Sequence, residues 1–139
     1  MAGDDARKLR VLLVDDDPDL SEVVTAVLGA EGYEVLTPQG ANPDQVQRAI
    51  DRHEPDCILL DSAGRTDYGA SWESAALIRQ RERRVPVVMF TAHAGDSDEA
   101  EDGTSDRAQA AGFIAVLRKP FGLDELLETV ARAVAASVP

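Results

Sequence analysis

The segment Cys57-Ile58-Leu59-Leu60-Asp61 places four apolar residues in a row with no polar alternation and then stops at a carboxylate. An unbroken run of that length suits a strand covered on both faces, which is the condition inside a parallel sheet. It predicts a central strand whose carboxyl end carries Asp61. In open α/β sheets that end borders the ligand crevice. Taken alone, Asp61 is also what a strand end followed by a turn would carry.

Other segments repeat the pattern. Leu9 to Val14 reads as a first strand ending in Asp15-Asp16-Asp17, and Tyr33 to Thr37 as a short second strand. Asp56 to Asp61 is the third, Val85 to Thr91 the fourth, and Phe113 to Leu117 the fifth, leading into Arg118-Lys119-Pro120. Helical spacing lies between them. Asp17 caps and Pro18 starts a first helix, with Leu20, Val23, Val24, Val27 and Leu28 on its inner face and Gly32 closing it. A second helix starts at Asn42-Pro43 and buries Val46, Ala49 and Ile50. A third runs from Ser71 to Arg83 and buries Trp72, Ala75, Ala76 and Ile78, with Leu77 beside them. Arg107 to Ala111 is helical and ends at Gly112. The last helix runs from Leu123 to Ala135, turning Leu126, Leu127, Val130 and Val134 inward.

Five strands alternating with helices predict an α/β fold: a doubly wound five-stranded parallel sheet with helices on both faces. Crossovers are right-handed. The common order is 2-1-3-4-5, with its switch point between strands 1 and 3. That order alone brings Asp15 and Asp16 beside Asp61, with Thr91 and Lys119 along the same edge.

The 139 residues suit one domain, with residues 1–8 as a polar tail and 9–136 as the folded unit. A net charge of −12 opposes nucleic-acid binding, which needs a positive face. No apolar run reaches spanning length and the start carries no apolar signal region, so we expect a cytoplasmic location and no membrane contact. Cys57, the single cysteine, reads as a packed thiol. His53 and His93 read as surface histidines.

Clustered carboxylates repel one another unless a cation neutralises them, and a hard divalent ion such as Mg²⁺ suits oxygen ligands. Thr91 offers a hydroxyl donor and Lys119 a mobile ammonium. Together these are parts for phosphoryl transfer: metal, cation, hydroxyl donor and attacking carboxylate. Singly, each has an ordinary use. Acids gather at helix N-termini, threonine suits strands, and lysines sit in solvent.

The ordered set LLVDDDPDL, ILLD, VVMFTA and LRKPF resembles the receiver domain of bacterial two-component response regulators, over roughly Leu9 to Ala135. The resemblance implies a flavodoxin-like fold and phosphorylation of Asp61 by a sensor histidine kinase or phosphotransfer protein. It implies Mg²⁺ held by Asp16, Asp61 and the backbone carbonyl of Ala63, with Asp15 acting through water. Thr91 and Lys119 would contact the phosphoryl oxygens, and Lys119-Pro120 would be cis. It makes the chain a signalling module rather than an enzyme, signalling to an unidentified downstream protein or as a homodimer, and without an output domain of its own. This chain departs from the family at Ala63, at Arg65 where the family has proline, and at Val116 where it has a switch aromatic. Ala63 cannot orient a water, which predicts slow dephosphorylation, and Val116 is too short and stiff to act as a rotating switch.

Two other classes use similar parts. An aspartyl phosphatase would need Asp15-x-Asp17 as its nucleophile motif, but Pro18 and Asp19 follow where small or hydroxyl residues belong. A flavin module needs a phosphate cradle after strand 1, where three aspartates would repel the phosphate. The segment Gly95 to Asp106 has six acids in twelve residues and no basic residue. Like-charge repulsion and two glycines predict a solvated loop rather than a helix. A calcium loop fails there, with Ala100 at position three and Gln109 at position twelve.

Overall fold

The computed structural model describes residues 8–15, 17–38, 43–61, 68–81, 85–92 and 94–136. The elements in chain order are β1 (Arg10–Val14), α1 (Pro18–Ala30), β2 (Glu34–Leu36), α2 (Pro43–His53), β3 (Cys57–Asp61) and α3 (Tyr68–Arg81). They continue as β4 (Val87–Thr91), α4 (Ala94–Asp102), α5 (Asp106–Ala111), β5 (Ala115–Arg118) and α6 (Leu123–Ala136). The sheet order is β2-β1-β3-β4-β5 and every pairing is parallel, as the alternation of strands and helices predicts.

Strand pleating sends successive side chains to opposite faces, and both faces are apolar. Leu12, Val14, Ile58, Leu60, Val87 and Met89 point to one side and meet Val46, Ile50, Trp72, Ile78 and Ala108 from α2, α3 and α5. Val11, Leu13, Cys57, Leu59, Val88 and Phe90 point to the other and meet Val24, Leu28, Leu126 and Val130 from α1 and α6. This double cover is why the runs lack polar alternation. Replacing a fully enclosed residue such as Leu60, 1% exposed, by alanine would cost about 2–5 kcal/mol.

Local rules set the helix ends. Asp17 caps α1, its side chain accepting from the N–H groups of Asp19 at 3.0 Å and Leu20 at 3.3 Å, with Pro18 first in the helix. Gly32 closes it at φ 96°, while the Tyr33 N–H donates back to the Leu28 carbonyl. Gly112 closes α5 at φ 61°, and a Cβ there would also meet the Arg79 guanidinium.

Several expectations need correction. Val23 is 49% exposed rather than inward. At 100° per residue it lies about 90° from the centre of the stripe made by Leu20, Val24, Val27 and Leu28. On α3, Ser74 is buried and Ala76 only half-buried. α3 begins earlier than expected, at Tyr68. β4 begins at Val87 because Pro86 has no N–H for the ladder, and β5 begins at Ala115. Within the expected tail of residues 1–8, residues 1–7 lie outside the described residues, as do Asn42 and Arg83.

The largest correction concerns Gly95 to Asp106, which is not a solvated loop. Residues 94–102 form α4, packed along β4 and β5. Its charges are answered from elsewhere in the fold. Arg107 reaches Glu99 with two nitrogens at 2.7 and 2.8 Å and Asp96 at 3.5 Å. Arg118 holds Asp98 at 3.1 Å and also Glu101. Asp96 is 4% exposed and accepts from the Trp72 indole N–H at 3.3 Å. Arg107 also lies over the Trp72 ring, 4.3 Å from its centroid. Gly103, at φ 72°, ends α4, and Ser105 then caps α5.

Candidate functional site

The sheet register assembles the site. Val14 lies opposite Leu60, Asp61 opposite Phe90, and Thr91 opposite Arg118. The next residue after β1 is Asp15 and the next after β5 is Lys119. Asp15, Asp61, Thr91 and Lys119 therefore meet at the carboxyl edge of four adjacent strands, where such sheets bind ligands.

Lys119 is the hub of that edge. Its Nζ lies 3.0 Å from Asp15 Oδ2 and 3.4 Å from Asp61 Oδ1. Its backbone N–H donates to the Thr91 carbonyl at 2.8 Å, which fixes where the side chain starts. The ammonium also sits 4.6 Å from the centroid of the Phe90 ring, so the aromatic face guides it toward the carboxylates. The Lys119-Pro120 bond is cis. The Asp15 side chain is fully enclosed and that of Asp61 is 8% exposed. The second oxygen of Asp15 accepts the Asp17 N–H at 2.8 Å. Thr91 is 1% exposed at the end of β4.

Asp15, Asp61, Thr91 and Lys119 are thus together on one edge. Asp16 and Ala63 lie outside the described residues, as do Arg65 and His93. Asp17 is committed to capping α1, which leaves it no part in a nucleophile pair. Val116 is half-buried on β5, opposite Met89.

Both carboxylates meet the Lys119 ammonium at this edge. Their donors are hard oxygens, the kind that a Mg²⁺ ion favours. Among the described residues, no group of three His, Cys, Asp or Glu side chains is gathered for a metal.

Arg118 was passed over in the sequence, where it is only the neighbour of Lys119. One residue ties α4 to β5 and the next ties β5 to the carboxylates. The available signal was the pair Arg107 and Arg118 downstream of an acidic run without basic residues. Glu101, then Asp98, raise the Arg118 guanidinium above its ordinary pKa.

A family model for the response regulator receiver domain matches residues 11–131. The chain belongs to that family, the receiver domains of two-component response regulators. The nitrogen assimilation regulatory protein NtrX of Azorhizobium caulinodans is 32% identical over 126 residues, 88% of this chain and 25% of that protein. The transcriptional regulatory protein PdtaR of Mycobacterium tuberculosis is 29% identical over 127 residues, 90% of this chain and 56% of that protein. The chain therefore spans from a quarter to about half the length of these relatives. Among solved structures, the receiver domain of NtrX from Brucella abortus superposes with a TM-score of 0.72 at 27% identity, covering 90% of this chain and 98% of that one. The receiver domain of a sensor histidine kinase from Pseudomonas aeruginosa, with a magnesium ion coordinated in its active site cleft, gives 0.73 at 30% identity, covering 93% and 99%. Among the described residues, no helix is long and apolar enough to cross a membrane.

Proposed function

We propose that this receiver domain, spanning residues 9–136, accepts a phosphoryl group on Asp61 from a phosphohistidine of a sensor histidine kinase or phosphotransfer protein. The observation that carries the reading is the Lys119 ammonium held between Asp15 and Asp61 at 3.0 and 3.4 Å. A lysine there is positioned for the oxygens of a group attached to Asp61.

An Asp61 carboxylate oxygen attacks phosphorus as the P–N bond to the donor histidine breaks. The electron pair stays on the imidazole, which leaves as the neutral ring when its other nitrogen carries a proton. The product is an acyl phosphate on Asp61. Lys119 pairs with the phosphoryl oxygens, and the Thr91 hydroxyl donates to one of them. Asp15, Asp16, Asp61 and the Ala63 carbonyl are the groups that would hold Mg²⁺. The ion would neutralise the carboxylates and bind phosphoryl oxygen. The donor set fits it, and the Pseudomonas aeruginosa relative is described with magnesium in its cleft. Hydrolysis returns Asp61 when water attacks phosphorus. Ala63 carries no polar side chain to orient that water, so the phosphorylated state is long-lived.

Transfer from a histidine-phosphorylated donor, with and without Mg²⁺, tests the reading. The product should be a hydroxylamine-sensitive acyl phosphate that forms only with Mg²⁺ and is absent in Asp61→Asn. A hydroxylamine-resistant product would contradict it.

A further inference from the structure

At the far edge of the sheet from α4, the C-terminal end of β2 and the outer side of α2 enclose a groove of about 460 Å³. It is lined by Thr37, Pro38, Arg48, Ala49, Arg52 and His53, among others. That volume lies within the range of small-ligand sites.

Its charge is unusual for this chain. The protein carries a net −12, yet two exposed guanidiniums four residues apart on α2 face one groove. Arg107, Arg118 and Arg10 are each paired with carboxylates. Arg48 and Arg52 have no carboxylate partner among the described residues. Helix-end electrostatics account for only one of them. Arg52 and His53 occupy the last turn of α2, where the dipole favours cations. Arg48 lies a turn earlier, where that field has decayed. Asp51 also lines the groove and keeps its charge there, with its carboxylate accepting the Gln47 side-chain amide at 3.0 Å, so the lining holds two guanidiniums against one carboxylate. The frame is also fixed in place. The His53 carbonyl accepts from Arg10 Nη1 at 2.6 Å, tying the end of α2 to β1.

The geometry points to an anion site in this groove, separate from the Asp61 edge, that takes a small diphosphate. Each guanidinium offers a planar fork that matches phosphate oxygens two at a time. A helical rise of about 6 Å between residues four apart lets two such forks close on adjacent phosphoryl groups from one side. Thr37 adds a hydroxyl donor to the lining, and Pro38 with Ala49 adds apolar surface.

Titration of the full chain with inorganic pyrophosphate, metal-free in excess chelator and followed by amide NMR, tests this. Saturable shifts are expected at Thr37, Arg48 and Arg52. Arg48→Gln and Arg52→Gln should each weaken binding about tenfold or more, and inorganic phosphate should bind about tenfold more weakly than pyrophosphate. Both substitutions are on the surface, and Mg²⁺-dependent phosphorylation of Asp61 should be unchanged in them, so the groove and the Asp61 reading fail independently. Absence of shifts up to about 10 mM pyrophosphate would overturn the site. So would equal binding by the double variant, or shifts confined to the Lys119 region. Equal affinity for succinate would overturn the diphosphate class.

Discussion

Replacing Arg107 by methionine should loosen α4 by an amount the geometry sets. Methionine keeps an apolar stem and removes the guanidinium. The two-nitrogen contact with Glu99 at 2.7 and 2.8 Å is half exposed on the arginine side, which limits it to about 1 kcal/mol. The guanidinium over Trp72 at 4.3 Å contributes about 0.5–1 kcal/mol. Asp96, with its side chain 5% exposed, would keep the Trp72 N–H but lose the nearby positive charge at 3.5 Å, at a cost of about 1 kcal/mol. Together these give about 2–3 kcal/mol, or a fall of roughly 1–2 M in the urea midpoint for a domain of this size. Trp72 fluorescence reports the transition, and hydrogen exchange across residues 94–102 should rise with it. Arg107→Lys keeps the charge without the fork and should lose about half as much. The pH dependence has a definite sign. The hydrogen bond from Arg107, then that from Ser105, lowers the Glu99 carboxyl from 4.5 to about 2. A depressed folded-state value means that this stabilisation is fully present above pH 4.5 and is lost as pH falls toward 2. Arg107→Met should flatten that dependence. A variant within about 0.5 kcal/mol of wild type, with α4 exchange unchanged, would refute the claim that distant arginines hold this helix.

Lys119→Met removes the ammonium between Asp15 and Asp61, so it should lower metal-free stability by about 3 kcal/mol, with Mg²⁺ restoring part of it in urea melts. Equal stability with and without the ammonium would mean that the carboxylates do not feel one another. The same variant should still bind Mg²⁺ while accumulating far less acyl phosphate, since an ammonium is repelled by the metal but attracted to the phosphoryl group. Burial, then the neighbouring Asp56, raises the Cys57 thiol from 9.0 to about 12. Native protein at pH 8 should therefore react with iodoacetamide roughly a thousandfold more slowly than an exposed thiol. Fast labelling without unfolding would show that β3 is not enclosed as described.

The sheet was legible in the sequence because its burial is nearly complete on both faces. Runs such as Val11 to Val14 and Cys57 to Leu60 have no solvent face to blur them. The site was legible because chain order and strand order together fix which strand ends meet, so Asp15, Asp61, Thr91 and Lys119 could be placed without coordinates. Helix faces were read less well. Val23 fits helical spacing but falls just outside the arc that meets the sheet. α4 was misread because its charge was counted locally. Its acids repel one another within the segment, while the compensating groups lie 8 residues on at Arg107 and 17 and 20 residues on at Arg118. Nothing in a window of one helix shows that Trp72 and Arg107 would enclose Asp96.

Intact-mass spectrometry after acetyl phosphate treatment tests the central claim most directly. Wild type, with Mg²⁺, should gain the mass of one phosphoryl group and no more. It should gain none in excess chelator, and peptide mapping should place the group on Asp61. Asp61→Asn should gain none under any condition. A phosphoryl group gained equally by Asp61→Asn, or gained by wild type regardless of Mg²⁺, would contradict the assignment of this edge as a phosphoacceptor site.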